Sequence, residues 1–456
     1  MTRVTEEAPR PGRGRRAAGR PLALPRWWLA VFAAFLLVVV AVVVVVVRTR
    51  VAPCRDELVG DPHDPMLTPA RMQAQPDARL DRLASAVGAM GPPFGEVVAG
   101  VGYDYGQWLH LYGVEGGVLA FTKDNAPVTL LDAQTLRPRW ALRPASKRIA
   151  WDADARRFLL LDLSADSATH VSAYSLKDGH RAWCASVGQH QAAGQPVATT
   201  FLDNGGVVTA LPDGKRIGLT LLSTTGTQRW ARSYDTVGRA DFVGPLSGDR
   251  VLVGGMEEFR LADQATGAKA GPVITAVDAT DGRPAWSWDV AADSVAHVVG
   301  TDGGRAVVVE RGPGGVRVLA LSDEGKELWS IQPQDAAYEA TLRGGVVVTK
   351  SRSALSGYDD TTGRLLWTRP VPTDRTYFPY GFTLGQMPSL DDTHVLVPTT
   401  TDLVVLDVRD GSEVAHPIPV DGISTTYWPY QLMATPDLLG VVTNTGGVVA
   451  RRTDGG

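Results

Sequence analysis

Residues 274–286 read ITAVDATDGRPAW, and the phrase returns with small changes along most of the chain. It appears as VTLLDAQTLRPRW at 128–140, VSAYSLKDGHRAW at 171–183 and LTLLSTTGTQRW at 219–230. It appears again as VLALSDEGKELW at 318–329 and LSGYDDTTGRLLW at 355–367. A further copy, LVVLDVRDGSEVA at 403–415, keeps Asp407 and Gly411 but has Ala415 where tryptophan is expected. Six of the twelve tryptophans thus hold one repeated position: Trp140, Trp183, Trp230, Trp286, Trp329 and Trp367.

Each copy describes a β-hairpin. Alternating apolar residues make the first strand, and Asp or Ser holds the turn by accepting backbone N–H groups. Glycine supplies the positive φ that the turn needs. Tryptophan then opens the second strand with a large face for packing on a neighbouring sheet. The tryptophans recur at intervals of 43, 47, 56, 43 and 38 residues. Repeats of about 40–50 residues with several strands each indicate a β-propeller. The expected fold is therefore all-β, with eight four-stranded blades, or seven as the alternative. The C-terminal stretch 438–456 supplies two strands and stops where a tryptophan strand should follow. Glu96–Val101 is expected to complete that last blade, closing the ring with the two ends of the chain.

The copies resemble the tryptophan-docking motif of the PQQ-binding-like propeller family, whose repeats read roughly Ala-Leu-Asp-x-x-Thr-Gly-x-x-x-Trp. Ala276–Gly282 with Trp286 is the nearest match, followed by Asp359–Gly363 with Trp367. The resemblance covers about residues 92–456. It implies that the six tryptophans dock each blade on its neighbour. Two copies have shorter turns, and Leu136 replaces the turn glycine in the first. Enzymes of that family oxidise alcohols or sugars with the quinone PQQ and calcium, and carry an adjacent Cys-Cys pair over the quinone. Here Cys54 and Cys184 are the two cysteines, far apart in sequence, and no Glu/Asn/Asp set carries over. The resemblance thus implies a non-enzymatic member without cofactor, with a quinone-dependent dehydrogenase as the alternative. A looser resemblance is to the propeller lipoproteins of the outer-membrane assembly machinery.

Ahead of the repeats, Trp27–Val47 is 21 residues without a charge. As a helix it spans about 30 Å, the thickness of a bilayer's hydrocarbon core. Seven arginines precede it, so the positive-inside rule places the N-terminus in the cytoplasm. The run is too long for a secretory signal and is followed by Arg48 and Arg50. The expected organisation is a basic cytoplasmic tail (1–26), a transmembrane helix (27–47), a Pro-rich extracytoplasmic spacer with a short helix (48–91) and the propeller (92–456). In the short helix Leu80, Leu83, Val87 and Met90 fall on one face. The location expected is the plasma membrane, single-pass, with the propeller outside.

The 456-residue chain carries 45 Lys+Arg against 49 Asp+Glu, and its basic excess is confined to residues 1–26. That excludes nucleic acid as a partner. Neither HExxH, a P-loop, GxSxG nor CxxC occurs, so no catalytic or metal-binding residue is assigned. Asp152-Ala153-Asp154 reads as a solvated turn. The candidate ligand-binding residues are aromatic and follow the repeated tryptophans: Trp151, Tyr338, Tyr377, Phe378, Tyr380, Tyr427, Trp428 and Tyr430. Placed in connections around one mouth of the ring, they would stack on a protein, a cell-envelope polymer or a small ligand.

Overall fold

A turn that begins with Asp or Ser and ends with glycine leaves two strands antiparallel, and this unit is laid out around a closed ring. The computed structural model describes residues 57–59 and 78–453 except 103–108, 123–127, 144–146, 164–167, 190–197, 214–215, 236–238, 257–270, 291–293, 334–338, 352, 371–392, 399–401, 415–417, 420–428 and 444–445. All of these belong to one of the two compact units into which the chain divides, Pro53–Gly456. Among the described residues no helix is long and apolar enough to cross a membrane; the expected span at 27–47 lies outside them.

Strand β1 (Glu57–Val59) and helix α1 (Ala78–Gly88) precede β2 (Phe94–Gly102). The first sheet follows, with β3 (Leu109–Val114), β4 (Gly117–Thr122), β5 (Val128–Asp132) and β6 (Pro138–Arg143). The second holds β7 (Lys147–Ala153), β8 (Arg157–Leu163), β9 (Ala168–Ser175) and β10 (Arg181–Gln189). The third holds β11 (Ala198–Phe201), β12 (Val207–Asp213), β13 (Arg216–Leu222) and β14 (Gln228–Asp235). The fourth is β15 (Arg239–Ser247), β16 (Arg250–Met256), β17 (Gly271–Asp278) and β18 (Pro284–Val290). The fifth is β19 (Val295–Asp302), β20 (Arg305–Gly312), β21 (Gly315–Leu321) and β22 (Glu327–Ile331). The sixth is β23 (Glu339–Arg343), β24 (Val346–Lys350), β25 (Ala354–Asp359) and β26 (Leu365–Pro370). A seventh, three-stranded sheet is β27 (His394–Pro398), β28 (Asp402–Asp407) and β29 (Ile418–Pro419). The last holds β30 (Pro429–Ala434), β31 (Leu438–Thr443) and β32 (Gly446–Arg452), with β2 as its fourth strand.

Among the described residues the fold is an all-β propeller with seven blades of four or more strands, the number expected as the alternative; the first of them has five, since β1 pairs with β6. The expected closure by the chain ends is present: Val101 lies opposite Gly447 and Phe94 opposite Arg452. Among the described residues eight apolar clusters sit between neighbouring sheets. Leu211 and Leu222 of the third sheet meet Leu159 and Leu161 of the second, for example, and Val395 and Leu406 meet Val346 and Val348. Fully burying each such side chain stabilises by about 1.5–3 kcal/mol.

The repeated tryptophan docks as the resemblance implies. Each indole Nε1–H donates to a backbone carbonyl in the turn of the next sheet: Trp140 to Leu176, Trp183 to Thr224 and Trp230 to Ala279. Trp286 donates to Asp323, Trp329 to Asp360 and Trp367 to Val408, each at 2.7 Å. The turn glycine of that next sheet lies flat on the indole. A Cβ at Gly226 would stand 2.6 Å from Trp183, and one at Gly411 would stand 2.6 Å from Trp367. These glycines also have φ between 67° and 77°, so two constraints select the same residue. Three arginines at the start of the second strand add a second prong. Arg157 donates to the Thr224 carbonyl, Arg250 to that of Asp323, and Arg305 to the carboxylate of Asp360 at 2.8 Å.

Both exceptions to the motif fall at the seam. No tryptophan hairpin precedes the first sheet, because β2 comes from the chain's start. Leu136 then takes the turn position, at φ 53°, and its side chain is buried beside Val98 and Ala99 of β2. On the other side of the seam the last sheet has no third-to-fourth-strand turn to receive an indole from the seventh. Helix α1 and the residues just after it fill the site, with Leu83, Val87 and Met90 buried against Val405, Leu439 and Val448.

Trp329→Ala is expected to cost about 3–5 kcal/mol, as for other buried aromatics truncated to alanine, measured by the denaturant midpoint. Gly363→Ala, which places a methyl 2.8 Å from the same indole at φ 67°, should also lower the midpoint, whereas Leu136→Ala should cost less than either. Equal midpoints for wild type and Trp329→Ala would overturn the docking role.

Candidate functional site

The first strands of successive sheets touch one another: β3 meets β30, β7 meets β11, β11 meets β15, β15 meets β19 and β19 meets β23. They are therefore the innermost strands and line the axis of the ring. Among the described residues a polar group gathers there from four sheets: Tyr112 on β3, Asp152 on β7, Thr200 on β11 and Arg343 on β23.

Asp152 departs from the expected solvated turn. Its Oδ2 accepts the Thr200 hydroxyl at 2.8 Å and the Phe201 N–H at 2.9 Å, and Oδ1 accepts the Ala153 N–H. The carboxylate thereby clips the second sheet to the third. Burial raises its pKa against the opposing pull of those hydrogen bonds. The rest of the run does hold a turn: Asp154 accepts the N–H groups of Arg156 and Arg157 and pairs with the Arg157 guanidinium at 2.8 Å. That guanidinium also lies 4.7 Å above the Phe201 ring. Tyr112 is pushed up to about 12, first by burial and then by the charge of Asp152, with Arg343 opposing. It stays a neutral hydroxyl at physiological pH, fit for hydrogen bonding and not for proton transfer.

A second feature is an open cleft of about 160 Å³ on the fifth sheet, lined by Ser294, Glu310, Arg317, Gln332 and the turn Gly312–Gly315. Glu310 accepts from Arg317 at 2.6 Å, and Glu327 holds the same guanidinium at 3.1 Å. Cofactor sites run to about 300–1,000 Å³, so the cleft suits a small polar group. Elsewhere in the fifth sheet His297 is buried and its Nε2 has no hydrogen-bond partner. Burial, with the charge of Arg311, pushes it down to about 4.

Of the aromatic candidates, Trp151 lies within β7 and Tyr430 at the start of β30, so both are on innermost strands. Tyr338, Tyr377, Phe378, Tyr380, Tyr427 and Trp428 lie outside the described residues. The quinone alternative requires a hard-cation site of carboxylate and amide oxygens. Among the described residues no three His, Cys, Asp or Glu side chains converge on a point, and the axial carboxylate of Asp152 already accepts three hydrogen bonds. The described residues do not fit that group. Sequence reading missed Tyr112 and Arg343; neither belongs to a repeated motif, and only the ring brings them together.

Residues 84–269 and 269–418 match the profile of the PQQ_2 family, whose description is outer membrane protein assembly factor BamB. The chain belongs to this family. No curated protein matches it. Among solved structures, BamB from Moraxella catarrhalis is 14% identical, with a TM-score of 0.48, over 78% of this chain and 99% of that one. The quinohemoprotein alcohol dehydrogenase ADHIIG from Pseudomonas putida HK5 is 13% identical, with a TM-score of 0.48, over 79% and 76%. Sqt1 from Saccharomyces cerevisiae is 13% identical, with a TM-score of 0.44, over 65% and 80%.

The environment of His297 sets a pH dependence. Its folded pKa lies below the ordinary value of 6.5, so between pH 6.5 and about 4 the unfolded chain binds the proton and the fold does not. Stability should fall as pH drops through that window, by about 3 kcal/mol for this residue. The difference between the denaturant midpoints of wild type and His297→Leu should be constant above pH 6.5, and below it the wild type should lose stability relative to the variant down to about pH 4. Parallel curves would refute the assignment.

Proposed function

We propose that this protein is a membrane-anchored, extracytoplasmic propeller acting as a non-catalytic binding or scaffold module for a protein or cell-envelope polymer. One observation carries the location: Cys184 is disulfide-bonded. The chain's other cysteine, Cys54, lies outside the described residues. Disulfides persist in oxidising compartments and are rare in the cytosol, in agreement with the arginine asymmetry around the apolar run 27–47. The partner-binding role is carried over from the family, described as an assembly factor. The axial polar group supports it, since burial keeps the Tyr112 phenol neutral and suited to hydrogen bonding.

The blade count that goes with this reading is eight. The three-stranded sheet carries the turn that receives the Trp367 indole, and its apolar residues join the sixth sheet to the last through separate clusters.

Protease added to spheroplasts should remove residues 92–456 and spare the N-terminal tail; the reverse pattern would overturn the topology. Alkylation without reductant should label neither cysteine, and two labelled thiols would remove the argument from the disulfide. Quinone absorbance with calcium-dependent alcohol oxidation by the purified protein would replace the scaffold reading by the dehydrogenase.

A further inference from the structure

All four strands of the fifth sheet contribute to the cleft of about 160 Å³ at one end of it. Ser294 leads into β19, Gln332 follows β22, and the turn Gly312–Gly315 joins β20 to β21. Glu310 and Arg317 face each other across the two strands that meet in this turn. The polar groups of the cleft have hydrogen-bonding capacity to spare. Glu310 accepts from Arg317 Nε at 3.1 Å and Nη2 at 2.6 Å, both through Oε2. Among the described residues its Oε1, the Ser294 hydroxyl and the Gln332 carboxamide have no hydrogen-bond partner.

The glycines of the turn answer to different constraints. A Cβ at Gly312 would collide with the Ser294 hydroxyl, and Gly315 has φ 103°. Gly314 meets neither demand: it is outside the left-handed region, and a Cβ there would find nothing within 4 Å. Any larger residue at 314 would stand in the mouth of the cleft, which glycine leaves uncovered.

The charges of Glu310 and Arg317 cancel, so the cleft favours neither an anion nor a cation. A peptide strand has no edge to pair with here, because β20 and β21 are inner strands bonded on both sides. What remains on offer is a carboxylate oxygen, a hydroxyl and a carboxamide. These suit a neutral molecule whose own groups both donate and accept, as adjacent sugar hydroxyls do. From this set of groups we propose, resting on the polymer partner named above, that the cleft seats one neutral sugar unit of a cell-envelope glycan, a hexose or an N-acetylhexosamine. Its hydroxyls donate to Glu310 Oε1 and share hydrogen bonds with Ser294 and Gln332, and its C–H face lies toward Val316 and the turn backbone. The volume is about five times a water's share of the liquid, roughly 30 Å³. That is room for one ring, with its neighbours in the glycan left in solvent.

The test is saturation-transfer NMR on the full chain in phosphatidylcholine nanodiscs, with N-acetylglucosamine, methyl glucoside and diglycine as separate probes. Both sugars should give saturable signals with a dissociation constant on the order of millimolar, as for a small ligand held by a few hydrogen bonds. Diglycine should give none. Glu310→Gln keeps the side chain's shape and leaves Arg317 to Glu327, and should weaken sugar binding about tenfold, the loss of one hydrogen bond to a charged group. Gly314→Trp should abolish binding. Gly248→Trp, in a fourth-sheet turn where a Cβ also meets nothing within 4 Å, should leave it unchanged. No saturable signal from either sugar, or one that survives Gly314→Trp, overturns the proposal, and signals from diglycine alone give the cleft to a peptide instead. If Gly314→Trp does not fold, an unchanged constant in Glu310→Gln overturns it equally. Any of these failures leaves the scaffold reading in place with a protein as its partner; only quinone-dependent alcohol oxidation removes that reading.

Discussion

One hydrogen bond organises this ring: an indole N–H from one sheet to a turn carbonyl of the next. Its geometry dictates the sequence around it. For the nitrogen to reach a carbonyl at 2.7–3.0 Å, the ring must lie flat on the turn backbone. A side chain at the turn's last position would collide with it, so glycine stands there, and the turn's positive φ demands the same residue. Tryptophan and glycine therefore recur as a pair whose members sit on different sheets. The pair read within one repeat in the sequence is really two halves of two interfaces.

The seam shows that the pairing is a matter of contact and not of habit. Where β2 replaces a tryptophan hairpin, the facing turn no longer has to be bare, and Leu136 accepts a strained φ while burying its side chain in the space. Where the chain ends leave no turn for an indole to meet, Ala415 stands in the tryptophan position and α1 supplies the apolar volume instead. Both departures follow from the ring having to close with strands from opposite ends of the chain.

Much of this was legible because it is local. The hairpin pattern lies within thirteen residues, so strand, turn and docking residue could be read directly, and the length of 438–456 pointed to a missing strand at 96–101. The arginine prong was harder to see. Arg157, Arg250 and Arg305 are single basic residues after turns, and their partners belong to the next sheet, 55 to 73 residues on. Asp152 looked like part of a solvated turn because Asp154 beside it is one. Only the adjacency of β7 and β11 sends its side chain to Phe201. The attachment of β1 to β6 was similarly hidden, since three residues in a proline-rich stretch give no periodicity.

The closure has a temporal side. Gly102 pairs with Gly446, 344 positions later, so β2 is synthesised long before its partner exists. Until β32 emerges, the nascent chain is an open arc of sheets with an unpaired strand at one end, and such edges recruit other chains. Helix α1 belongs to the same waiting group: its apolar face is made early, but most of the residues that bury it, from Val405 to Ala450, arrive last. The molecule must therefore keep strand β2 and helix α1 from wrong partners for most of its own synthesis, a demand for assistance that the finished ring no longer displays.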